Sequence, residues 1–419
     1  MYGMVKDLYP ICRSITGNGV RQTLRRIGEH VPLVTHEVAS GTAVYDWTVP
    51  KEWNIRDAYI IDPSGRKLCD FKQNNLHVLN YSMPIHRKMS LAELKPHLFS
   101  IPDHPDWIPY RTSYYKETWG FCLSHKQLLE LVEGEYEVVV DSSLEPGALT
   151  YGECLIKGES TDEVLLSCHT CHPSLCNDNL SGIALTTYIG KWLQQQGSLR
   201  YSYRLLFIPG TIGSITWLSR NEQAAKRIKH GLVVTCVGDG GPFSYKKSRR
   251  GEAEIDVASQ HVLGHRNEPF NLIEWYPYGY DERQYCSPGF NLAVGSLSRS
   301  SHGQYDEYHT SADDLQLVQP EYLAQALQVY LDVIDVLEHN RVYVNLQPKC
   351  EPQLGKRGLY RAIGATHDGK SKEMALLWVL NLADGEHSLL AMAERSGIEF
   401  KAIKEAALAL RDAGLLSGI

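Results

Sequence analysis

The sequence contains no uninterrupted apolar run long enough to cross a membrane, and its opening residues, 1–19, lack the apolar core of a secretory signal. A cytoplasmic location without membrane partners is the expectation. An excess of positive charge is also missing: the formal balance is −7 over 419 residues, which disfavours a polyanionic partner that needs a broad basic surface and leaves small anionic ligands open. The ten cysteines do not read as a disulfide framework. Cys122, Cys154, Cys168 and Cys236 sit inside apolar runs, where cysteine behaves as a small hydrophobe, so free thiols are expected. Cys168, Cys171 and Cys176 crowd one loop, but no further C-x-x-C pair accompanies them, which argues against a four-cysteine structural zinc.

What is present is an ordinary globular composition, 43% hydrophobic and 22% charged. A chain of this length exceeds one core and implies two or three domains. Residues 4–30 carry a helical pattern broken at Ser14–Gly19. From about Thr42 to Gly120 the character changes: Trp47, Trp53, Trp107 and Trp119 alternate with seven prolines, and the runs Ala58–Ile61 and Lys67–Phe71 flank Pro63-Ser64-Gly65 as a hairpin would. Only a weak helix, Ser90–His97, fits there, and the segment reads as a small inserted β-rich domain.

The main sheet is expected to resume at Glu135–Val140 and Gly152–Lys157. Four apolar runs follow, Val164–Cys168, Tyr203–Ile208, Leu232–Val237 and Leu292–Leu297, separated by helical stretches at Leu180–Gln196 and Ser214–Ile228. Runs buried on both faces and alternating with helices predict a doubly wound α/β domain, closed by a core-facing helix at Pro320–Glu338. After a Pro-, Gly- and base-rich linker at Pro348–Lys372, three helical stretches (Glu373–Leu382, Ser388–Arg395, Phe400–Leu415) with a turn at Ser396-Gly397-Ile398 predict a helix-turn-helix or winged-helix module. Its acids outnumber its bases. That balance disfavours nucleic acid and points to packing or dimerisation, hence a homo-oligomer.

The chemistry gathers at the ends of the parallel strands, where ligands bind in open α/β sheets. His169, His172 and Asp178 lie in one strand-to-helix loop, although Asp178 could also be a helix cap beside Asn177 and Asn179. Asp239 follows the third run and His309 the fourth. Two His and two Asp from three loops (His169, Asp178, Asp239, His309) form a donor set that suits zinc, with room for a water.

These residues carry a likeness. His169, Asp178 within Asn-Asp-Asn-x-Ser-Gly, Asp239, and His309 within Tyr-His-Thr-x-x-Asp resemble the co-catalytic zinc aminopeptidases, and most closely a bacterial aminopeptidase-like branch with an inserted domain and a C-terminal winged helix. The likeness covers nearly the whole chain. It implies a zinc-aminopeptidase-like α/β domain with a doubly wound mixed sheet (residues 1–41 and 121–345), a β-rich insert (42–120) and a winged helix (346–419). It further implies that Asp178 bridges two metals, that His169 and Asp239 complete one and that His309 serves the other. The implied chemistry is metal-assisted hydrolysis of a peptide or small amide. Relatives of that branch have Glu where this chain has Gly210, and Cys171 stands where an Asp orients the first histidine, so one zinc or two remain open. Glu282 and Glu307 are the alternative bases. His172, Arg249, Asp281, Arg283 and Tyr285 are the substrate-binding candidates; Arg283 could grip a carboxylate bidentately, and the basic run Lys246, Lys247, Arg249, Arg250 is either an anion grip or a solvated loop. The runner-up is a catalytically impaired homologue that binds a ligand or partner.

Overall fold

The structure is a computed structural model that describes residues 1–359 and 367–418; residues 360–366 of the expected linker lie outside the described residues, and its last six, 367–372, belong to the helix His367–Leu382. The chain divides into two compact units, residues 1–251 with 271–327, and residues 252–270 with 328–419.

The first unit is built on an eight-stranded sheet. Its strands are β1 (Val34–Ala39), β2 (Ala148–Ile156), β3 (Glu163–His169), β4 (Ser202–Ile208), β5 (Ile228–Val234), β6 (Phe243–Lys246), β7 (Phe270–Ile273) and β8 (Val294–Ser298), in the order β1-β2-β4-β3-β5-β8-β6-β7. β4, β3, β5 and β8 run parallel, while β1, β2 and β6 are antiparallel to their neighbours. Every residue of β3 and β4 is buried, as a strand covered on both faces requires. The one acid in β3, Glu163, is neutralised by Arg204 at 2.8 Å and Arg227 at 2.7 Å.

The helix Gly182–Leu193 packs directly on this sheet. A Cβ at Gly182 would lie 2.6 Å from the Val234 carbonyl oxygen, so only glycine lets the helix start this close to β5. The expected helix at Ser214–Ile228 is two shorter ones, Ile212–Arg220 and Glu222–Ala225.

The insert forms a four-stranded antiparallel sheet in the order Lys67–Leu68, Glu52–Ile61, Glu135–Glu145, Ile85–Ser90. The hairpin expected around Gly65 is present, with Gly65 at φ +86° where the turn needs a left-handed residue. Glu135–Val140 does not join the main sheet as expected: it pairs with Glu52–Ile61 through Ile60↔Val138 and Ala58↔Val140. The reason is periodicity. Tyr136, Val138 and Val140 alternate with less buried residues, the pattern of a sheet with one wet face rather than of a strand covered on both.

The second unit holds the helices His367–Leu382, Leu389–Ser396 and Phe400–Asp412 with a sheet ordered Asp384–Ser388, Val342–Asn345, Leu416–Gly418. Ser388 caps the middle helix by accepting from the Ala391 N–H at 3.2 Å, and Gly397 at φ +65° ends it. Leu389, Leu390, Met392 and Ala393 are buried from that helix, as are Phe400, Ile403, Ala407 and Leu410 from the next. Helix Glu254–Gly264 belongs to this compact unit: the His261 Nε2 accepts the Phe400 N–H at 2.9 Å and its Nδ1 faces Glu394 at 2.5 Å. Among the described residues, no helix is long and apolar enough to cross a membrane.

Candidate metal centre

Because β4, β3, β5 and β8 are parallel, their C-terminal ends share one edge of the sheet, and the residues that follow them meet there. His169 closes β3 and is 1% exposed. Its Nδ1 accepts from the Asn179 amide at 3.3 Å, which leaves Nε2–H to donate to Asp178 Oδ1 at 2.8 Å. Asp178 is not a helix cap. Asn179 takes that part, its Oδ1 accepting the Gly182 N–H at 3.2 Å, and Asp178 is left free to face the imidazoles.

His172 and His309 complete the cluster. Ligand atoms of His169, His172 and Asp178 all lie within 4.8 Å of one another, and His309 Nε2 is 3.0 Å from Asp178 Oδ2 and 3.1 Å from His172 Nε2. Burial opposes the charge on Asp178, but His172 and His169 hold its carboxyl well below the ordinary range. Burial likewise keeps His172 well below the usual imidazole value, against the pull of Asp178. A neutral His172, two further imidazoles and an ionised carboxylate converging on one point present the donor chemistry of a divalent cation.

Both added histidines stand on left-handed backbone, His172 at φ +79° and His309 at φ +57°, a region that costs free energy for any residue with a side chain. Each is clamped at its carbonyl oxygen by a distant group. Arg13, fully buried, donates from Nη2 to the His172 oxygen at 3.0 Å and from Nη1 to the Leu8 oxygen at 2.6 Å. Tyr110 of the insert donates its backbone N–H to the His309 oxygen at 2.7 Å, and its ring packs 4.8 Å from His172 and 5.1 Å from His309. Ile108 and Ser311 bond alongside, Pro109 bridging to Thr310.

The last residue of the Tyr-His-Thr-x-x-Asp motif, Asp313, holds the other loop. Its two carboxylate oxygens accept the backbone N–H groups of Asn177 at 2.6 Å and Asp178 at 3.0 Å, while burial pushes its carboxyl up to about 8. The fixed four-residue spacing from His309 was a signal for Asp313. Arg13 and Tyr110 carried none.

The structure distributes the remaining candidates differently from the sequence expectation. His172, expected to bind substrate, lies in the group of three that could hold a metal ion. Asp239, expected as a ligand, accepts from the Asn177 amide at 3.1 Å, the Gly241 N–H at 3.0 Å and the Ser300 hydroxyl, and it is not one of the three residues grouped within 4.8 Å. Arg249 and Arg250 leave β6 toward the opposite edge of the sheet, since β6 runs antiparallel to β8, and both are exposed and bonded to Asn291. The basic run is thereby dispersed: Lys246 is buried against Glu282 at 2.9 Å, and Lys247 pairs with Glu274 at 2.7 Å. Glu282 thus spends one oxygen on an ammonium.

Glu307 is half-buried, and its carbonyl accepts the Thr310 N–H and hydroxyl, shaping the turn that presents His309. Arg283 lies over the Tyr278 ring at 5.8 Å. Tyr285 is fully buried with its hydroxyl 2.9 Å from Ser167, which places it in the wall of the sheet. Asp281 is fully buried; burial raises its carboxyl to about 6, partly offset by His169 and by the Ser214 hydroxyl, which donates to Oδ1 at 2.7 Å.

With this geometry in place, comparison with known proteins is direct. Residues 2–340 match the family described as Domain of unknown function (DUF4910), and residues 341–418 match the winged helix-turn-helix family. A protein of Clostridium acetobutylicum named as a putative polysaccharide biosynthesis protein with aminopeptidase-like domain is 57% identical over 416 residues, 99% of this chain and 95% of its own length. The crystal structure of a putative peptidase from Clostridium acetobutylicum superposes with a TM-score of 0.95 at 55% identity, covering 100% of this chain and 96% of that one. A zinc aminopeptidase from Bacillus subtilis shares the fold at a TM-score of 0.57 and 11% identity, over 80% of this chain and 93% of its own. The chain belongs to the DUF4910 family, with a mixed α/β domain of zinc-aminopeptidase fold followed by a C-terminal winged helix.

Proposed function

We propose that the chain is a zinc-dependent hydrolase of aminopeptidase-like type that cleaves a peptide or a small amide. The observation that carries this reading is the convergence of buried His169 and Asp178 with partly buried His172 and His309 at the C-terminal edge of the parallel strands. These residues would hold zinc, and zinc bound there would polarise a carbonyl oxygen and lower the pKa of water. The rest is the work of the chain. Asp178 stays ionised against burial, the two clamped loops hold His172 and His309 facing it, and Arg283 near the sheet edge is the grip for an anionic part of the substrate. The Clostridium relative's name joins an aminopeptidase-like domain to polysaccharide biosynthesis, which keeps a small amide beside peptides as substrate class.

A second reading, a catalytically impaired homologue that binds a ligand or partner, is favoured by Gly210, which brings no carboxylate to this edge. Zinc per chain in protein purified without chelator, together with hydrolysis of aminoacyl p-nitroanilides, separates the two. Bound zinc with turnover supports the hydrolase. If zinc and turnover appear only in Gly210→Glu, the impaired reading replaces it. A Cβ at that position would sit 3.1 Å from the His169 Cβ, so the variant needs a shift of only a few tenths of an ångström.

A further inference from the structure

Two neighbouring carboxylates, Asp281 and Glu282, each keep one buried oxygen without a hydrogen-bond partner, Oδ2 and Oε2, and they differ in what holds the other oxygen. Asp281 is fully buried, its Oδ1 is taken by the Ser214 hydroxyl at 2.7 Å, and its Oδ2 has no hydrogen-bond partner. A buried carboxylate oxygen left unpaired carries a large desolvation cost, so its retention calls for a ligand or a reaction that uses it. Its surroundings say where it is aimed. A Cβ built on Gly210 would lie 3.5 Å from Asp281 Oδ2 and 3.1 Å from the His169 Cβ. The orphan oxygen and the first histidine of the metal centre are therefore both neighbours of this glycine, where no side chain comes between them. Asp281 is not one of the three residues whose ligand atoms fall within 4.8 Å of one another, which leaves its carboxylate available to act on a water instead of as a ligand.

Glu282 next to it is less suited. Its Oε1 is bound to the Lys246 ammonium at 2.9 Å and is so close to the Gly279 backbone that a Cβ there would approach it to 1.9 Å.

We propose that Asp281 is the proton acceptor of this site, a role that rests on the hydrolase reading above and gives it the base that the sequence does not show. In the reaction Oδ2 takes one proton from water while the water oxygen bonds to the carbonyl carbon of the substrate. The carbon–nitrogen bond then breaks, the proton passes from Asp281 to the leaving nitrogen, and the products are an acid and an amine, with one water consumed and Asp281 ionised again. Ser214 holds the other oxygen and fixes the direction of Oδ2. A carboxyl raised to about 6 by burial is more basic than an exposed one and still ionised at neutral pH, which agrees with this role.

The test follows the proton rather than turnover alone. L-leucine hydroxamate binds zinc as its anion and must give up a proton, so calorimetry of its binding to the zinc-loaded full chain, in buffers of different ionisation enthalpy, counts the protons released. In the parent the proton should stay on Asp281; in Asp281→Asn about one more per ligand should reach the buffer, with zinc content unchanged and kcat for aminoacyl p-nitroanilides lower by roughly 10²- to 10⁴-fold. If the parent binds neither zinc nor hydroxamate, the hydrolase reading itself fails. Equal proton release from parent and variant removes Asp281 as acceptor and leaves the hydrolase standing; loss of zinc from the variant would make Asp281 a ligand and overturn the proposal. Should Asp281→Asn not fold, Ser214→Ala keeps the carboxylate but removes a hydrogen bond that favours its charge. The acid limb of the pH–rate profile should then move to higher pH, and an unmoved limb overturns the assignment.

Discussion

The two halves of the metal centre are held in place by different means. His169 and Asp178 come from one strand end and the loop that follows it, on backbone fixed by β3 and by the Asn179 cap of the next helix. His172 and His309 stand on left-handed backbone that no regular element supports, and each depends on a remote donor, Arg13 or Tyr110, at its carbonyl oxygen. The first half is a consequence of the sheet. The second is assembled from the N-terminal segment and the insert, which gives the insert a part in the site without contributing a ligand.

Substitutions can break this contrast at graded cost. Asp178→Asn should be the most severe, because Asp178 faces all three imidazoles; zinc content by metal analysis should fall to background while the fold persists, and retained zinc would refute the central place given to it. Arg13→Met acts only on the assembled half. It takes the side-chain donor from the His172 carbonyl and one of two donors from the Leu8 carbonyl, which keeps the Ile11 N–H, so unfolding in urea should show a loss of about 2–3 kcal/mol, and chelator competition a zinc affinity weaker by roughly 10- to 100-fold. Unchanged zinc affinity would mean that His172 needs no clamp.

Asp313, which ties the loop of one half to that of the other, predicts a pH effect. Its carboxyl is raised in the folded chain from the ordinary 3.8 to about 8, so the folded state binds the extra proton. Stability of the chelator-treated protein is therefore highest at the acid end of that window and is lost as pH rises from about 4 through about 8. Melting temperatures of Asp313→Asn should decline less steeply over the same range; parallel curves would show that Asp313 does not titrate there. The smallest effect is expected for Tyr110→Leu. The backbone donor to His309 survives, while the ring packing and the 2.7 Å hydroxyl contact with Tyr114 are lost, costing about 1–2 kcal/mol and a few-fold in zinc affinity by the same competition assay.

The same contrast explains what could be read from the chain. The parallel strands were visible as apolar runs because burial on both faces leaves an unbroken signal, and the loop residues His169 and Asp178 follow from where β3 ends. The run Glu135–Val140, expected in the main sheet, pairs instead with Glu52–Ile61, because its partial alternation suits a sheet with one wet face and its nearness in sequence to the main-sheet strands does not decide its partner. Arg249 looked like a neighbour of Asp239 in sequence, but the reversal of β6 carries it to the far edge. Asp239 has the right residue type and the right strand end; its bonds to Asn177, Gly241 and Ser300 decide its orientation, and no spacing rule encodes them.

By itself the sequence determined which segments pair with helices around a parallel sheet, that a winged-helix module follows, and that histidines and acids gather at one edge, because periodicity and strand ends are local properties of the chain. Tertiary structure alone decided which of those side chains face one another. That selection rests on Arg13 reaching His172 across 159 residues, on Tyr110 holding His309, and on an unpaired oxygen of Asp281 turned toward Gly210, none of which is local in sequence.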